Sequence, residues 1–242
     1  MLRDITEIRR LEGELRRSEK LAALGKVAAG VAHELRNPLS SIKGLAMILQ
    51  SAFSDKSKEL ETANMLVGEV ERLNRSISEL LDYARPTTLH LKRQRLQPLL
   101  EKTISLLEMD ARSADIHLQL ECKTDFDVSI DADKLSQVFL NLLLNGIQAM
   151  EHGGNLFVTL QREKEWIRIS FIDTGSGIRD EDLPRIFDPY FTTKSNGTGL
   201  GLAMSSKIVE EHGGKILVDS RSGERTEVSV ILPCSPDTLV VH

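Results

Sequence analysis

Leu21, Leu24, Ala28, Val31, Leu35, Pro38, Ile42, Leu45 and Leu49 step by three and four residues in alternation. No other feature constrains this chain as much, because such a stripe marks the a and d seam of a helix packed in a bundle. Counted from Ala28 as position a, His33 falls at f, farthest from the seam, and Glu34 follows at g. Asn37 comes four residues after His33 and shares its side of the helix. A solvated helix face is the ordinary explanation for a lone exposed histidine. Pro38 argues for more, since a proline inside a helix removes one backbone hydrogen bond and costs roughly 3 kcal/mol. A purely structural coiled coil has little reason to accept that cost beside three polar functional groups. A zinc peptidase is set aside: His-Glu-x-x-His is the required spacing, and Asn37 stands where the second histidine belongs.

A second stripe, Ala63, Leu66, Val70, Leu73, Ile77, Leu80 and Ala84, repeats the same alternation. The segment 51–57 between the stripes is small and polar apart from Phe53 and reads as a helix–helix turn. The first helix is expected to span about residues 2–52, roughly 75 Å at 1.5 Å per residue. A hairpin this narrow cannot bury its stripe alone, and two copies would close a four-helix bundle. Upstream, Leu2, Ile5, Ile8, Leu11 and Leu15 form a stripe in a highly charged connector over residues 1–20, with a register slip through Ser18. Arg85-Pro86-Thr87-Thr88 ends the hairpin.

From about residue 89 the period changes. Strands are expected near 90–95, 116–121, 127–130, 155–161, 166–172, 215–219 and 226–232, and helices at about 97–112, 132–150, 180–186 and 199–212. The fold class is therefore an all-α hairpin followed by an α+β domain large enough for its own core. The expected segments are 1–20 connector, 21–88 hairpin domain, 89–236 α+β domain and 237–242 tail.

Composition narrows the function. With 242 residues and a net charge of −5, acids and bases interspersed, nothing suggests a nucleic-acid or anionic-membrane surface. The two cysteines, Cys122 and Cys234, are isolated and need no oxidising compartment. No apolar run approaches the roughly 18 residues of a membrane span. The segment is expected in the cytoplasm without membrane contact of its own, either by itself or as the cytoplasmic portion of a larger, membrane-anchored sensor.

Four constellations mark the second domain. Gln137, Asn141, Asn145 and Gln148 line one side of an otherwise apolar helix, where Lys and Glu would be usual; neutral carboxamides suit a hard cation such as Mg²⁺. Asp173-Thr174-Gly175-Ser176-Gly177 follows a strand, placing a carboxylate for a flat ligand that the backbone approaches closely. Phe187-Asp188-Pro189-Tyr190-Phe191-Thr192-Thr193-Lys194 clusters aromatic residues ahead of a lysine, either a local core plug or the support of a mobile loop. Gly197-Thr198-Gly199-Leu200-Gly201-Leu202 opens a helix, so backbone N–H groups can surround phosphate oxygens, yet it is neither a Walker A loop nor a dinucleotide fingerprint.

In this order the motifs resemble the H, N, D-x-G-x-G, F and G-x-G boxes of sensor histidine kinases, over nearly the whole chain. Phe187-Asp188-Pro189-Tyr190-Phe191-Thr192-Thr193-Lys194 and the short loop before Gly197 are similar to the NtrB and ZraS branch. Residues 3–10 resemble the exit of a PAS sensory domain.

The resemblance implies a GHKL-type (Bergerat) ATP-binding sandwich, ATP and Mg²⁺ as cofactors, and a homodimer through the hairpin. It implies His33 as phosphoacceptor, Glu34 as general base and Asn37 as the residue positioning water for dephosphorylation of the partner. It implies Asn145 as Mg²⁺ ligand, Asn141 near the phosphates, Asp173 on the adenine amino group, and Gly175 and Gly177 shaping that pocket. Lys194, Thr198, Gly199, Leu200 and Gly201 would hold the phosphates. Many members carry lysine where this chain has Gln148, which leaves Lys194 to supply that charge. The partner implied is a response regulator receiver domain, NtrC-like by branch. Two other functions fit parts of the pattern: a silent nucleotide-binding scaffold, and an ATPase of the same nucleotide fold with water as acceptor.

Overall fold

The computed structural model describes residues 35–50, 58–85, 88–122, 127–194 and 197–234. The 1–20 stripe, His33, Glu34, the 51–57 turn and the 237–242 tail lie outside the described residues. The chain divides into two compact units, Met1–Pro86 and Thr87–His242.

In the first unit, helix α1 (residues 35–50) runs through Pro38, and α2 spans Lys58–Ala84. Arg36 donates to Ser78 Oγ at 3.4 Å, Lys43 Nζ to Glu71 at 2.7 Å, and Gln50 to Asn64 Oδ1 at 2.5 Å. Each pair steps seven residues forward on α1 and seven back on α2, so the helices are antiparallel and in register. Small residues sit between them: Ala46 and Ala63 are 2% exposed and Val70 4%. The larger stripe residues stay out. Leu35, Ile42, Leu45, Leu49, Leu66 and Leu73 remain 41–63% exposed, because one hairpin has a single internal face. The predicted stripes are thus split: their small members Ala63 and Val70 face the inside of the hairpin, and their larger residues form its unburied face.

The second unit contains all seven predicted strands. β1 (Lys92–Arg95) pairs antiparallel with β3 (Asp127–Ile130). β2 (Ile116–Cys122), β4 (Gly154–Glu163), β5 (Trp166–Asp173), β6 (Lys215–Arg221) and β7 (Arg225–Pro233) form a mixed sheet of order β2-β4-β5-β7-β6, in which only β2 and β4 are parallel. Period-two alternation gives that sheet one apolar face: Leu156, Val158, Leu160, Ile167, Ile169 and Phe171 are at most 2% exposed. Against it lie α3 (Leu96–Ser105), α5 (Ala132–Gln148) and α6 (Gly201–Glu211), with the Phe139 and Phe171 rings 5.8 Å apart. The result is a two-layer α/β sandwich.

Two predicted helices need correction. The expected 97–112 helix is broken into α3 and α4 (Glu108–Ser113). Leu107 leaves helical geometry and its N–H tightens onto Ile104 O at 2.9 Å, which turns Leu107 and Ala111 into the core and leaves Leu106 exposed. The expected 180–186 helix is one 3-10 turn, Leu183–Arg185, because Pro184 lacks the N–H that a longer helix needs.

A buried clip ties the ends of α5 and α6 to the start of the unit. The Asp131 carboxylate caps α5 by accepting the Lys134 N–H at 3.2 Å, and also accepts the His90 N–H at 2.9 Å. The Asp131 N–H donates in turn to His212 Nε2 at 3.1 Å, while His212 Nδ1 lies 2.7 Å from Ile208 O. Acceptance at Nε2 needs a neutral ring, whereas the Nδ1–H donation to Ile208 O would survive protonation. Burial lowers the His212 pKa, only partly offset by Ile208 O and the Asp131 charge. A base whose folded pKa lies below its ordinary 6.5 contributes stability above that pH and loses it as pH falls towards the folded value. The unfolding midpoint is therefore expected to fall between pH 7 and pH 5.5, and His212→Gln to flatten that slope; an equal slope in the variant would assign the effect elsewhere.

Candidate active site

The C-terminal half of α5 is the floor of the site. Its apolar side packs on the sheet, which leaves the carboxamide side for contacts elsewhere. Asn141, half-buried, donates to Ser205 Oγ on α6 at 3.0 Å. Gly201 opens α6 directly beside it: a Cβ there would stand 2.4 Å from Asn141 Oδ1. No side chain caps the N-terminus of α6, whose N-cap is the buried Leu200, so its first-turn N–H groups are available to an anion.

Asp173 ends β5 and is 6% exposed. Burial raises its pKa, and the Gly175 and Thr226 N–H groups and the charge of Lys194 offset part of that rise. The Gly175 N–H reaches its Oδ1 at 3.0 Å. The turn after Asp173 is wedged on both sides. Gly175 lies against Ala149 O of α5, and the Ser176 N–H donates to that same oxygen at 3.0 Å. Gly177, at φ +67°, lies against Arg221 O at the end of β6. Ser220 Oγ accepts the Ile178 N–H at 2.9 Å.

The aromatic segment closes a loop. The Tyr190 N–H donates to Gly199 O at 2.9 Å, and both residues take left-handed φ, +67° and +70°. The Arg185 guanidinium stacks 4.6 Å from the Phe191 ring centroid. Thr198 Oγ1 accepts the Leu200 N–H at 3.4 Å. From this loop Lys194 reaches back to α5, where its Nζ donates to Asn145 Oδ1 at 2.8 Å and Gln148 Oε1 at 2.7 Å. Although Lys194 is exposed as a residue, its ammonium is crowded by protein, and lost hydration lowers its pKa despite the Asp173 charge.

One end of the sandwich therefore gathers residues widely separated in sequence: Asn145 with Lys194, Asn141 with Gly201, and Asp173 with the Gly175–Gly177 turn. Asn37 is exposed on α1 in the other unit, and its carbonyl accepts from Ser41 Oγ at 3.3 Å. His33 and Glu34 lie outside the described residues. Sequence reasoning missed Gly146, where a Cβ would come 2.9 Å from Leu156 and 3.5 Å from Asp173 Cβ. This glycine lets α5 approach the end of β5, and a lone glycine inside a helical pattern was the available signal. It also missed Thr174, whose hydroxyl accepts the Asn155 N–H at 3.0 Å and holds the start of β4 to the end of β5. Among the described residues, no group of three or more His, Cys, Asp or Glu is placed to hold a metal. The neutral oxygen of Asn145 fits a hard cation held jointly with a ligand's phosphates.

Two family models match the chain. Residues 23–89 match the His Kinase A (phospho-acceptor) domain, and residues 130–236 the histidine kinase-, DNA gyrase B- and HSP90-like ATPase domain. Sensor histidine kinase ZraS of Escherichia coli K12 is 44% identical over 224 residues, 92% of this chain and 48% of the relative. The chain thus spans about half the length of that relative. The crystal structure of histidine kinase ThkA in complex with response regulator protein TrrA is similar at 31% identity and a TM-score of 0.72, covering 96% of this chain and 68% of that one. ShkA, solved in complex with AMPPNP, shares the fold at a TM-score of 0.74 and 24% identity, over 87% of this chain and 46% of its own.

Proposed function

The chain belongs to the sensor histidine kinases of two-component systems, and from that premise we propose an ATP-dependent autokinase that phosphorylates His33. It then passes the phosphoryl group to an aspartate of a response regulator. The observation that carries this reading is the meeting of Lys194 with Asn145 beside the buried Asp173: a cation, a neutral carboxamide oxygen and a buried carboxylate at one end of one sandwich.

In this reading Asp173 accepts a hydrogen bond from the adenine amino group in addition to those from the Gly175 and Thr226 N–H groups. Gly175 and Gly177 keep the pocket wall flat. The N–H groups of Gly199, Leu200 and Gly201, the Thr198 hydroxyl and the Lys194 ammonium surround the phosphates, with Asn141 beside them. Asn145 would hold Mg²⁺, which would supply charge neutralisation on the phosphate chain. A His33 ring nitrogen forms the new P–N bond at the γ-phosphorus as the bond to the β–γ bridging oxygen breaks, and ADP leaves with that electron pair. Glu34 takes the ring proton. Asn37 positions water when the same hairpin removes phosphate from its partner.

The assignment of segments follows: 1–20 connector, 21–88 dimerisation and phosphotransfer, 89–236 catalysis, 237–242 tail. Exposed Leu35, Ile42, Leu45, Leu49, Leu66 and Leu73 are what a second hairpin would cover, which supports a homodimer. The receiver docks on the bundle surface of segments 39–49 and 66–73. No helix among the described residues is long and apolar enough to cross a membrane, which accords with a cytoplasmic core inside a larger sensor. The test is a pulse and chase. Chain labelled with γ-labelled ATP, sedimenting at twice 27.0 kDa, should lose its label to an added receiver domain and not to that domain with its phosphoacceptor aspartate replaced by asparagine. Label that never reaches any receiver, or a monomer, contradicts the corresponding part of the reading.

A further inference from the structure

The site holds a cation supplied by the chain itself. Asn145 and Gln148 stand three residues apart on α5, so their carboxamide oxygens point to the same side. Lys194 Nζ sits between those oxygens at 2.8 and 2.7 Å. The backbone behind the lysine is fixed too, because the Lys194 N–H donates to Thr192 Oγ1 at 3.1 Å. Resting on the kinase reading above, we propose that Gln148 is a positioning residue: with Asn145 it forms a two-oxygen seat in which the Lys194 ammonium stands in for the divalent cation until nucleotide arrives.

The two cations compete. A carboxamide oxygen has two lone pairs, so what opposes Mg²⁺ at Asn145 is the charge of the ammonium 2.8 Å from its Oδ1. Like charges that close also repel strongly. The seat is a poor final partner for the lysine, since it offers two neutral dipoles in exchange for lost hydration. A phosphate chain offers full negative charge within the same reach. Arrival of the nucleotide therefore draws Lys194 from the carboxamides to the phosphates and clears Asn145 for the metal, so one side chain couples occupancy of the site to the position of its loop. Gln148 takes part only in the seat, which separates its role from those of Asn145 and Lys194.

Gln148→Leu keeps the size of the side chain and removes one of the two acceptors. Gln148 is exposed, so the fold should survive. Two readouts follow. In nucleotide-free protein, acetylation of Lys194 by an N-hydroxysuccinimide ester, followed by mass spectrometry, should be about 10- to 100-fold faster in the variant than in wild type, the scale set by one hydrogen bond to a charged group. In ATP titrations at increasing Mg²⁺, the half-effective Mg²⁺ concentration should drop several-fold, a change that a merely structural glutamine would not produce. Equal labelling rates in the two proteins overturn the seat. A faster rate with an unchanged Mg²⁺ dependence overturns the exchange. If wild type binds no ATP, the kinase reading fails, while the labelling comparison still decides whether the seat exists.

Discussion

Asp173→Asn is expected to weaken ATP binding by roughly 10- to 100-fold while leaving the unfolding midpoint within a few degrees of wild type. The carboxylate is buried at the end of β5, and burial raises its pKa, so charge is held there against a desolvation cost. The Gly175 N–H at 3.0 Å and the Thr226 N–H compensate part of that cost. An adenine amino group would supply a further donor, and a hydrogen bond to a charged group is worth about 1.5–3 kcal/mol. Asparagine turns an amide NH₂ towards a donor that needs an acceptor, so binding falls. Stability changes little, because removing a buried charge offsets one weakened backbone bond. Isothermal titration with ATP and a thermal melt test both halves. Affinity within threefold of wild type would remove Asp173 from base recognition.

Gly177→Ala should have the largest effect of any single methyl group in the second unit. Gly177 combines φ +67° with a Cβ position 2.1 Å from the Arg221 carbonyl oxygen and 2.9 Å from Ser222 Cα. Both neighbours are backbone, at the end of β6 and the start of the turn that follows it, so neither rotates away. Left-handed strain alone costs about 1–3 kcal/mol, and displacing the hairpin adds to it. For a unit of this size each kcal/mol lowers the midpoint by roughly 2–4 °C, so a fall of about 6–12 °C is expected, together with weaker ATP binding. Gly223→Ala is the control. Its φ is +82°, yet nothing lies within 4 Å of the added methyl, so it carries the strain without the collision. Equal losses in the two variants would show that the packing of the Asp173 turn against the hairpin contributes nothing.

The strands over β4 and β5 were legible because apolar residues alternate over one buried face. Ile167, Ile169 and Phe171 announce β5 without any knowledge of its neighbours. The break after Ser105 was not legible: Leu106 and Leu107 are both apolar, and only the core decides that Leu107 turns in and Leu106 stays out. Pro184 did signal a short turn at 183–185, and helical residues around it masked the signal. The hairpin stripe was legible as a pattern, but which of its residues turn inward was not, since the inner face is made by Ala63 and Val70 together with Ala46, which lies off the stripe. In the site, the motifs were readable one by one. Their meeting was not, because Lys194 and Gln148 are 46 residues apart and no local rule brings them together.

Everything proposed for the site depends on transfer of the γ-phosphoryl group of ATP to His33. The measurement that tests it most directly is autophosphorylation with γ-labelled ATP and Mg²⁺, wild type beside His33→Gln. Transfer to His33 requires acid-labile, base-stable label on wild type and none on the variant, with ATP affinity equal in both. Equal labelling of the two, or full ATP turnover by His33→Gln with water as the acceptor, would contradict it.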